Sequence, residues 1–295
     1  MIKAPPTPKG FRDIKPEMAK GKREAINKIV SVLEEYGFVP IETPTIEFAE
    51  TLEGKYGDEE KLIYKFTDRG GRKLALRYDL TVPLARYVAT YNPPLPFRRY
   101  QIGQVFRGEN PQKGRFREFT QFDFDSVGSS DPKEDALIIA AVAKSLEALG
   151  IKNFKILIND RNNFANQPPS IIRIIDKIKK IGREGVIDEL IKAGYSEEQL
   201  QTIESNGPTE NLQNIFKELE NLDVSKDKYE FSPTLARGLD YYTGMIIEAE
   251  IEEYGGGSVG GGGRYDNLIG MFSKKQTPAV GFSFGLDRLL EILYP

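Results

Sequence analysis

The stretch Arg98–Val127, RRYQIGQVFRGENPQKGRFREFTQFDFDSV, decides the fold. Two runs of strand character, 98–106 and 116–124, flank a loop rich in glycine, proline and charge. Strands this close together, joined by a short loop, favour an antiparallel pair over a helical crossover. Side chains alternate faces along a strand, so Phe116, Phe122 and Phe124 share one face while Arg117, Gln121, Asp123 and Asp125 share the other. The phenylalanine face belongs to a core. The opposite face suits either solvent or a ligand, and the preceding loop bears on that choice. It holds Arg107, Glu109, Lys113 and Arg115, with Arg117 just beyond. Guanidinium groups recognise phosphate through planar, multi-donor hydrogen bonding. Such a loop beside an amide and carboxylates suits a substrate carrying both an amine and a phosphate.

Outward from this hairpin the chain continues in the same style. Helical spacing of Met18, Ile26, Ile29, Val30, Val32 and Leu33 predicts a helix over 16–36, stopped at Gly37. Pro40 and Pro44 keep the following GFVPIETPTIE extended. Strands are expected at 61–66, 73–77, 154–160, 244–251 and 278–284, and helices at 132–149 and in the closing GLDRLLEIL. Residues 165–228 turn lysine- and glutamate-rich and helical, which reads as a small helical insertion between two parts of one core, 1–164 and 229–295.

Composition narrows the chemistry. The 295 residues, 39% hydrophobic and 29% charged, describe a globular protein with no apolar run of membrane-spanning length and no signal-peptide core, which makes the cytoplasm the default. There is no cysteine, histidine or tryptophan. Disulfides, thiolate or imidazole metal sites, and cysteine or histidine catalysis are therefore excluded, leaving arginines, carboxylates and bound ions. A net charge of −3 carries no global nucleic-acid signature, so any such contact must be local.

Three further segments hold candidate groups. LARGLDYYTGMIIE at 235–248 concentrates Arg237, Asp240, Tyr241 and Tyr242 ahead of an apolar strand, either as a site for a polar molecule beside a phosphate or as a tyrosine-rich turn. LRYDLT at 76–81 places Arg77 and Asp79 at a strand end, where Asp79 could simply cap the next helix. GFSFGLDRLL at 281–290 runs from a strand through Gly285 into a helix with Arg288 in its first turn, a phosphate-binding arrangement unless the arginine lies on the surface. The glycine run 255–263 contains a formal GxGxxG, but no βαβ unit or GK[ST] accompanies it, and a dinucleotide fold is rejected. Its bare backbone would still let a flat ligand approach closely.

In their order along nearly the whole chain, these segments resemble the catalytic domain of class II aminoacyl-tRNA synthetases, specifically the histidyl-tRNA synthetase family. GFVPIETPTIE is similar to the dimer-forming first motif, VFRGENPQKGRFREFTQFDFD to the second and AVGFSFGLDRLLEIL to the third. LARGLDYYTG and GGGGRYDNL resemble the histidine-specific signatures. The resemblance implies an α+β fold, a six-stranded antiparallel sheet flanked by helices, and a homodimer. It implies activation of L-histidine by ATP with Mg²⁺, then transfer to the acceptor end of tRNA(His). By the same resemblance, Arg107 and Arg237 bind the α-phosphate, with Arg237 stabilising its charge during attack. Glu109 meets adenine, and Arg115 and Arg288 hold the terminal phosphates. Asp79 and Gln121 grip the α-ammonium, while Asp125 and Tyr242, with Tyr241 alongside, receive the imidazole. Family members continue past the third motif into an anticodon-binding domain and this chain stops at Pro295, so weak tRNA charging is the expectation. The rival is the related non-catalytic regulatory subunit of ATP phosphoribosyltransferase, which needs a histidine site but no ATP arginines.

Overall fold

The computed structural model describes residues 5–111, 114–237, 241–252, 254–255 and 257–294. Its first half runs through α1 (Pro16–Glu35), β1 (Val39–Pro40), β2 (Ile46–Phe48), α2 (Ala49–Leu52), β3 (Lys65–Thr67), β4 (Lys73–Leu76) and α3 (Thr81–Tyr91). The long β5 (Phe97–Phe106) and β6 (Glu118–Val127) follow, then α4 (Pro132–Ala148) and β7 (Phe154–Asp160). Four helices come next: α5 (Pro169–Ile175), α6 (Ile178–Lys192, broken at Gly182), α7 (Glu197–Glu204) and α8 (Glu210–Asn221). The chain closes with β8 (Tyr229–Phe231), β9 (Met245–Ile251), β10 (Gly260–Arg264), β11 (Ala279–Gly285) and α9 (Leu286–Leu293).

The main sheet has the order β1-β5-β6-β11-β10-β9-β7-β8. Its six middle strands are antiparallel, as the short β5–β6 connection requires. The six-strand expectation is corrected only at the edges, where β1 and β8 add in parallel and lengthen the sheet to eight. One face is the core: Phe122, Phe124, Phe282 and Phe284 pack with Ile29 and Leu33 of α1, the alanine- and isoleucine-rich α4, and Leu289 of α9. Helix α4 is wrapped by both α1 and α8, which explains why it is buried almost all round. Its start is set by Asp131, whose side chain accepts from the Lys133 N–H, and by Pro132 in the first turn.

Several expectations need amendment. The strand expected at 61–66 begins only at Lys65, because the acidic Gly57–Leu62 segment winds into a 3₁₀ turn. The end of the glycine run, Gly260–Gly263, forms β10 together with Arg264, in the interior of the sheet. Four consecutive glycines have no side-chain periodicity to read, which is why no strand is expected there. Within 165–228 the last helix, α8, sends Leu212, Ile215 and Leu219 into the main core, whereas α5–α7 build a separate cluster with Leu157 and Ile246. Those two residues lie on the sheet face opposite the phenylalanines, so α5–α7 roof that face. Among the described residues no helix is long and apolar enough to cross a membrane.

Candidate active site

The sheet face opposite the phenylalanines carries a cleft of about 380 Å³. Its floor is built in rows, since residues paired across antiparallel strands point the same way. One row reads Gln101, Asp123, Ser283, Gly261, Glu248 across β5, β6, β11, β10 and β9. The next reads Arg99, Asp125, Gly281, Gly263, Ile246. Glycine occupies the positions over which neighbouring side chains lie flat. A Cβ at Gly281 would overlap the Asp125 carboxylate, and one at Gly261 would overlap the Arg237 guanidinium. The glycine run thus supplies room for charged groups rather than a phosphate loop.

Arg107, Glu109, Arg115, Arg237 and Arg288 all line the cleft, as do Asp79, Gln121, Asp125, Tyr241 and Tyr242. The cations are held in distinct ways. Arg107 lies over the Tyr78 ring at 4.3 Å and donates from Nε to the Tyr78 carbonyl. Burial disfavours its charge, but Tyr78, Glu59 and Asp79 outweigh that and raise its pKa. Arg237 pairs with Glu248 at 2.7 Å, and Lys179 of the helical roof takes the other Glu248 oxygen at 2.8 Å. Arg288 donates to the Ser258 carbonyl at 2.6 Å and to the Gly114 carbonyl at 3.3 Å. Burial lowers its pKa, with Arg115 and Arg107 adding to the effect, so this end of the cleft crowds positive charge. Arg115 is the most exposed of the four and reaches Glu109 only loosely, at 3.7 Å.

The other end presents acceptors. Among the described residues seven buried side-chain polar atoms lack a hydrogen-bond partner, and all but Ser145 Oγ belong to Asp79, Arg99, Gln121, Asp123 and Asp125. Buried polar groups are nearly always satisfied, so orphans gathered at one place mark where a polar ligand fits. Asp79 uses Oδ1 for the Tyr56 hydroxyl and the Val82 N–H, both at 3.0 Å, and keeps Oδ2. It is therefore both a helix-start acceptor and a cleft residue. Gln121 donates from Nε2 to Ser283 Oγ at 2.7 Å and keeps Oε1. The Asp125 Oδ1 accepts from the Tyr265 hydroxyl. Tyr242, buried beside Arg237, completes this end.

Three expectations do not hold. Phe116 precedes β6, so alternation does not govern it, and its ring faces the cleft under Arg12 at 3.7 Å instead of joining the core. Arg117 turns back to the Glu109 carbonyl at 2.9 Å and braces the loop. Arg77 lies over Gly103 of β5, outside the cleft lining, donating to the Thr43 and Gln104 carbonyls at 2.9 and 2.7 Å. Lys113 and Asp240 lie outside the described residues. Conversely, Glu59, Arg99, Asp123, Asp176, Glu248 and Tyr265 went unassigned in sequence. Only Tyr265, inside GGGGRYDNL, and Asp123, on the polar face of β6, carried a usable signal.

The comparisons with known proteins bear on this arrangement directly. The family model described as histidyl-tRNA synthetase matches residues 10–166 and 161–289. The chain belongs to the histidyl-tRNA synthetase family. It is 43% identical to the histidine–tRNA ligase of Aeropyrum pernix, over 97% of this chain and 74% of that protein. The histidyl-tRNA synthetase structure from Nostoc superposes with a TM-score of 0.84 at 32% identity, covering 98% of this chain and 75% of that one. A Bacillus halodurans structure titled ATP phosphoribosyltransferase regulatory subunit/histidyl-tRNA synthetase superposes at 0.83 and 25% identity, over 98% of this chain and 83% of that one.

One acid on the floor makes a stability prediction. Burial pushes Asp123 from 3.8 up to about 7, against the attraction of Arg99 and with repulsion from Asp125 adding. The folded state therefore holds this proton more tightly than the unfolded chain. Its contribution is complete below the unfolded pKa of 3.8 and is lost as pH rises through about 7. Asp123→Asn is expected to flatten the fall in stability over that window, read from urea midpoints at several pH values. An unchanged slope would rule Asp123 out as its source.

Proposed function

We propose that this chain catalyses attack of the histidine carboxylate on the α-phosphorus of ATP, giving histidyl-adenylate and pyrophosphate, and passes the histidyl group to the acceptor end of tRNA. The observation that carries the reading is the sorting of the cleft, with Arg107, Arg115 and Arg288 crowded at one end, orphan acceptors at the other, and Arg237 beside Tyr242. Asp79 Oδ2 and Gln121 Oε1 suit the α-ammonium, which brings three donors and no acceptor. Asp125 and Tyr242 suit the imidazole, one as acceptor from its N–H and one as donor to its bare nitrogen. Glu109 meets the adenine edge, and Tyr241 walls the amino-acid end. Arg107 and Arg237 flank the α-phosphate, with Arg115 and Arg288 on the β- and γ-phosphates.

The nucleophile is already an anion, so no general base is required. Catalysis then rests on holding carboxylate and phosphorus in line and on cations aimed at the oxygens that gain charge as phosphorus becomes five-coordinate. Among the described residues no cluster of three or more acidic side chains could hold a metal ion unaided. Mg²⁺ would accordingly enter on the triphosphate, as this ion usually does, and offset charge on the departing pyrophosphate.

A homodimer fits the exposed apolar residues Val39, Ile46, Phe48 and Phe66, which belong to β1, β2 and β3. Phe48→Glu is expected to convert a dimer into monomers at micromolar concentration in sedimentation velocity. A variant that still sediments as a dimer moves the interface elsewhere.

The deciding assay is histidine-dependent ATP–pyrophosphate exchange. Exchange that requires histidine supports the reading. Histidine binding by calorimetry without exchange would favour a sensor, for which Arg107, Arg115, Arg237 and Arg288 have no task.

A further inference from the structure

We propose that Arg99, beside Asp125 on the same face of the sheet, is a positioning residue that fixes Asp125 as an acceptor and thereby sets the preference for an imidazole side chain. The proposal rests on reading Asp125 as the imidazole's partner. Arg99 is 0% exposed, a rare setting for a guanidinium, and it is not among the cleft-lining residues. It stands opposite Asp125 in the strand register, with Nη2 2.7 Å from Asp125 Oδ2. Its hydrogen bond to the Leu80 carbonyl is long at 3.5 Å, and its Nε and Nη1 have no hydrogen-bond partner among the described residues.

Packing alone does not account for this arginine. An apolar residue of similar volume in place of a buried ion pair usually leaves a core as stable or more so. What the pair does is visible on Asp125, which is bounded on three sides. Tyr265 donates to Oδ1, Arg99 sits against Oδ2, and Gly281 withdraws the Cβ that would otherwise overlap the carboxylate. The Arg99 contact is one of charge rather than an aligned hydrogen bond, because Oδ2 counts among the orphan acceptors. Oδ2 thus keeps the capacity to take a ligand N–H.

Charge state matters as much as direction. Burial drives Asp125 toward its neutral form, and Arg99 is the main opposing influence. A protonated Asp125 would face the imidazole as a donor, like Tyr242, and the ring's N–H would lose its acceptor. By opposing that protonation, Arg99 favours a pair of partners complementary to one N–H and one lone pair. A site organised in this way rejects side chains lacking either feature, since its buried groups would be left unpaired.

The test is a double-mutant cycle in the exchange assay with the whole chain. Arg99→Met is expected to raise the histidine KM on the order of tenfold or more while leaving the ATP KM near its original value. Asp125→Asn should raise the histidine KM by itself, and the double variant should add little, because Arg99 acts through Asp125. Arg99→Lys keeps the charge without the planar fork and should raise the histidine KM less than Met does. Fully additive effects, or histidine and ATP KM rising together, would overturn the proposal in favour of a structural role. If Arg99→Met does not fold, the neutral Arg99→Gln decides, and a histidine KM equal to that of the parent overturns the proposal. Asp125→Asn with an unaltered histidine KM strikes the assignment of Asp125 itself, a result separable from failure at Arg99 alone.

Discussion

Replacing Arg237 with alanine is expected to lower the rate of histidine-dependent exchange by about 10²–10³-fold while the fold stays intact. The size follows from where the charge develops. Phosphate oxygens gain negative charge only as the carboxylate attacks, so a cation aimed there stabilises the transition state more than the bound substrates. Glu248, 2.7 Å from Arg237, holds the guanidinium over Gly261, and its field raises the arginine pKa although burial opposes the charge. The same carboxylate explains why the variant should fold. Glu248 keeps Lys179 at 2.8 Å after the arginine is gone, so no uncompensated charge is left behind. Thermal unfolding and turnover should therefore separate, with a small change in midpoint and a large loss of rate. Arg237→Lys should restore only part, since an ammonium lacks the planar fork. Exchange within a few-fold of the parent would remove Arg237 from the reaction.

Arg264 shows the opposite division of effects. Arg264→Met is expected to cost about 3–5 kcal/mol of stability, the range found when one partner of a buried ion pair is removed. Its Nε donates to Asp135 Oδ1 at 3.0 Å and its Nη2 meets Oδ2, while Nη1 reaches the Ser129 carbonyl at 3.0 Å and Asp266 at 3.2 Å. The arginine thus ties β10 to the first turn of α4. Asp135 is 1% exposed, and burial already pushes it up to about 6 even with the arginine present. Without Arg264 it can escape the penalty only by taking a proton. The loss should therefore be larger at pH 8 than at pH 5, compared by urea unfolding. Arg264→Met combined with Asp135→Leu should recover most of it, because an apolar pair removes the stranded charge. A single-variant loss below about 1 kcal/mol would show that the pair is not what joins these elements.

Both predictions lean on groups of unequal visibility in the sequence. Arg237 is legible because it stands in a short segment dense with charge and phenol, next to an apolar strand. The polar face of β6 is legible for a different reason: strand periodicity separates Gln121, Asp123 and Asp125 from Phe122 and Phe124 without any knowledge of partners. The same local logic yields α1, α4, α9 and the antiparallel β5–β6 hairpin. It fails where local pattern is absent or misleading. Phe116 lies two residues before its strand, and β10 is four glycines and an arginine.

What the sequence by itself determined is the hairpin, the helices that cover its phenylalanine face, and the roll of arginines and carboxylates available to a site. Each follows from interactions between residues near in the chain. The tertiary structure decided which of those charges meet. It sent Arg77 and Arg117 away from the cleft and set Arg288 beside Arg115. It also laid Arg237 over a glycine supplied by β10, and put Arg99 beside Asp125 by strand register. Such pairings depend on sheet order and on the exclusion of water between strands far apart in sequence. No periodicity along the chain encodes either one.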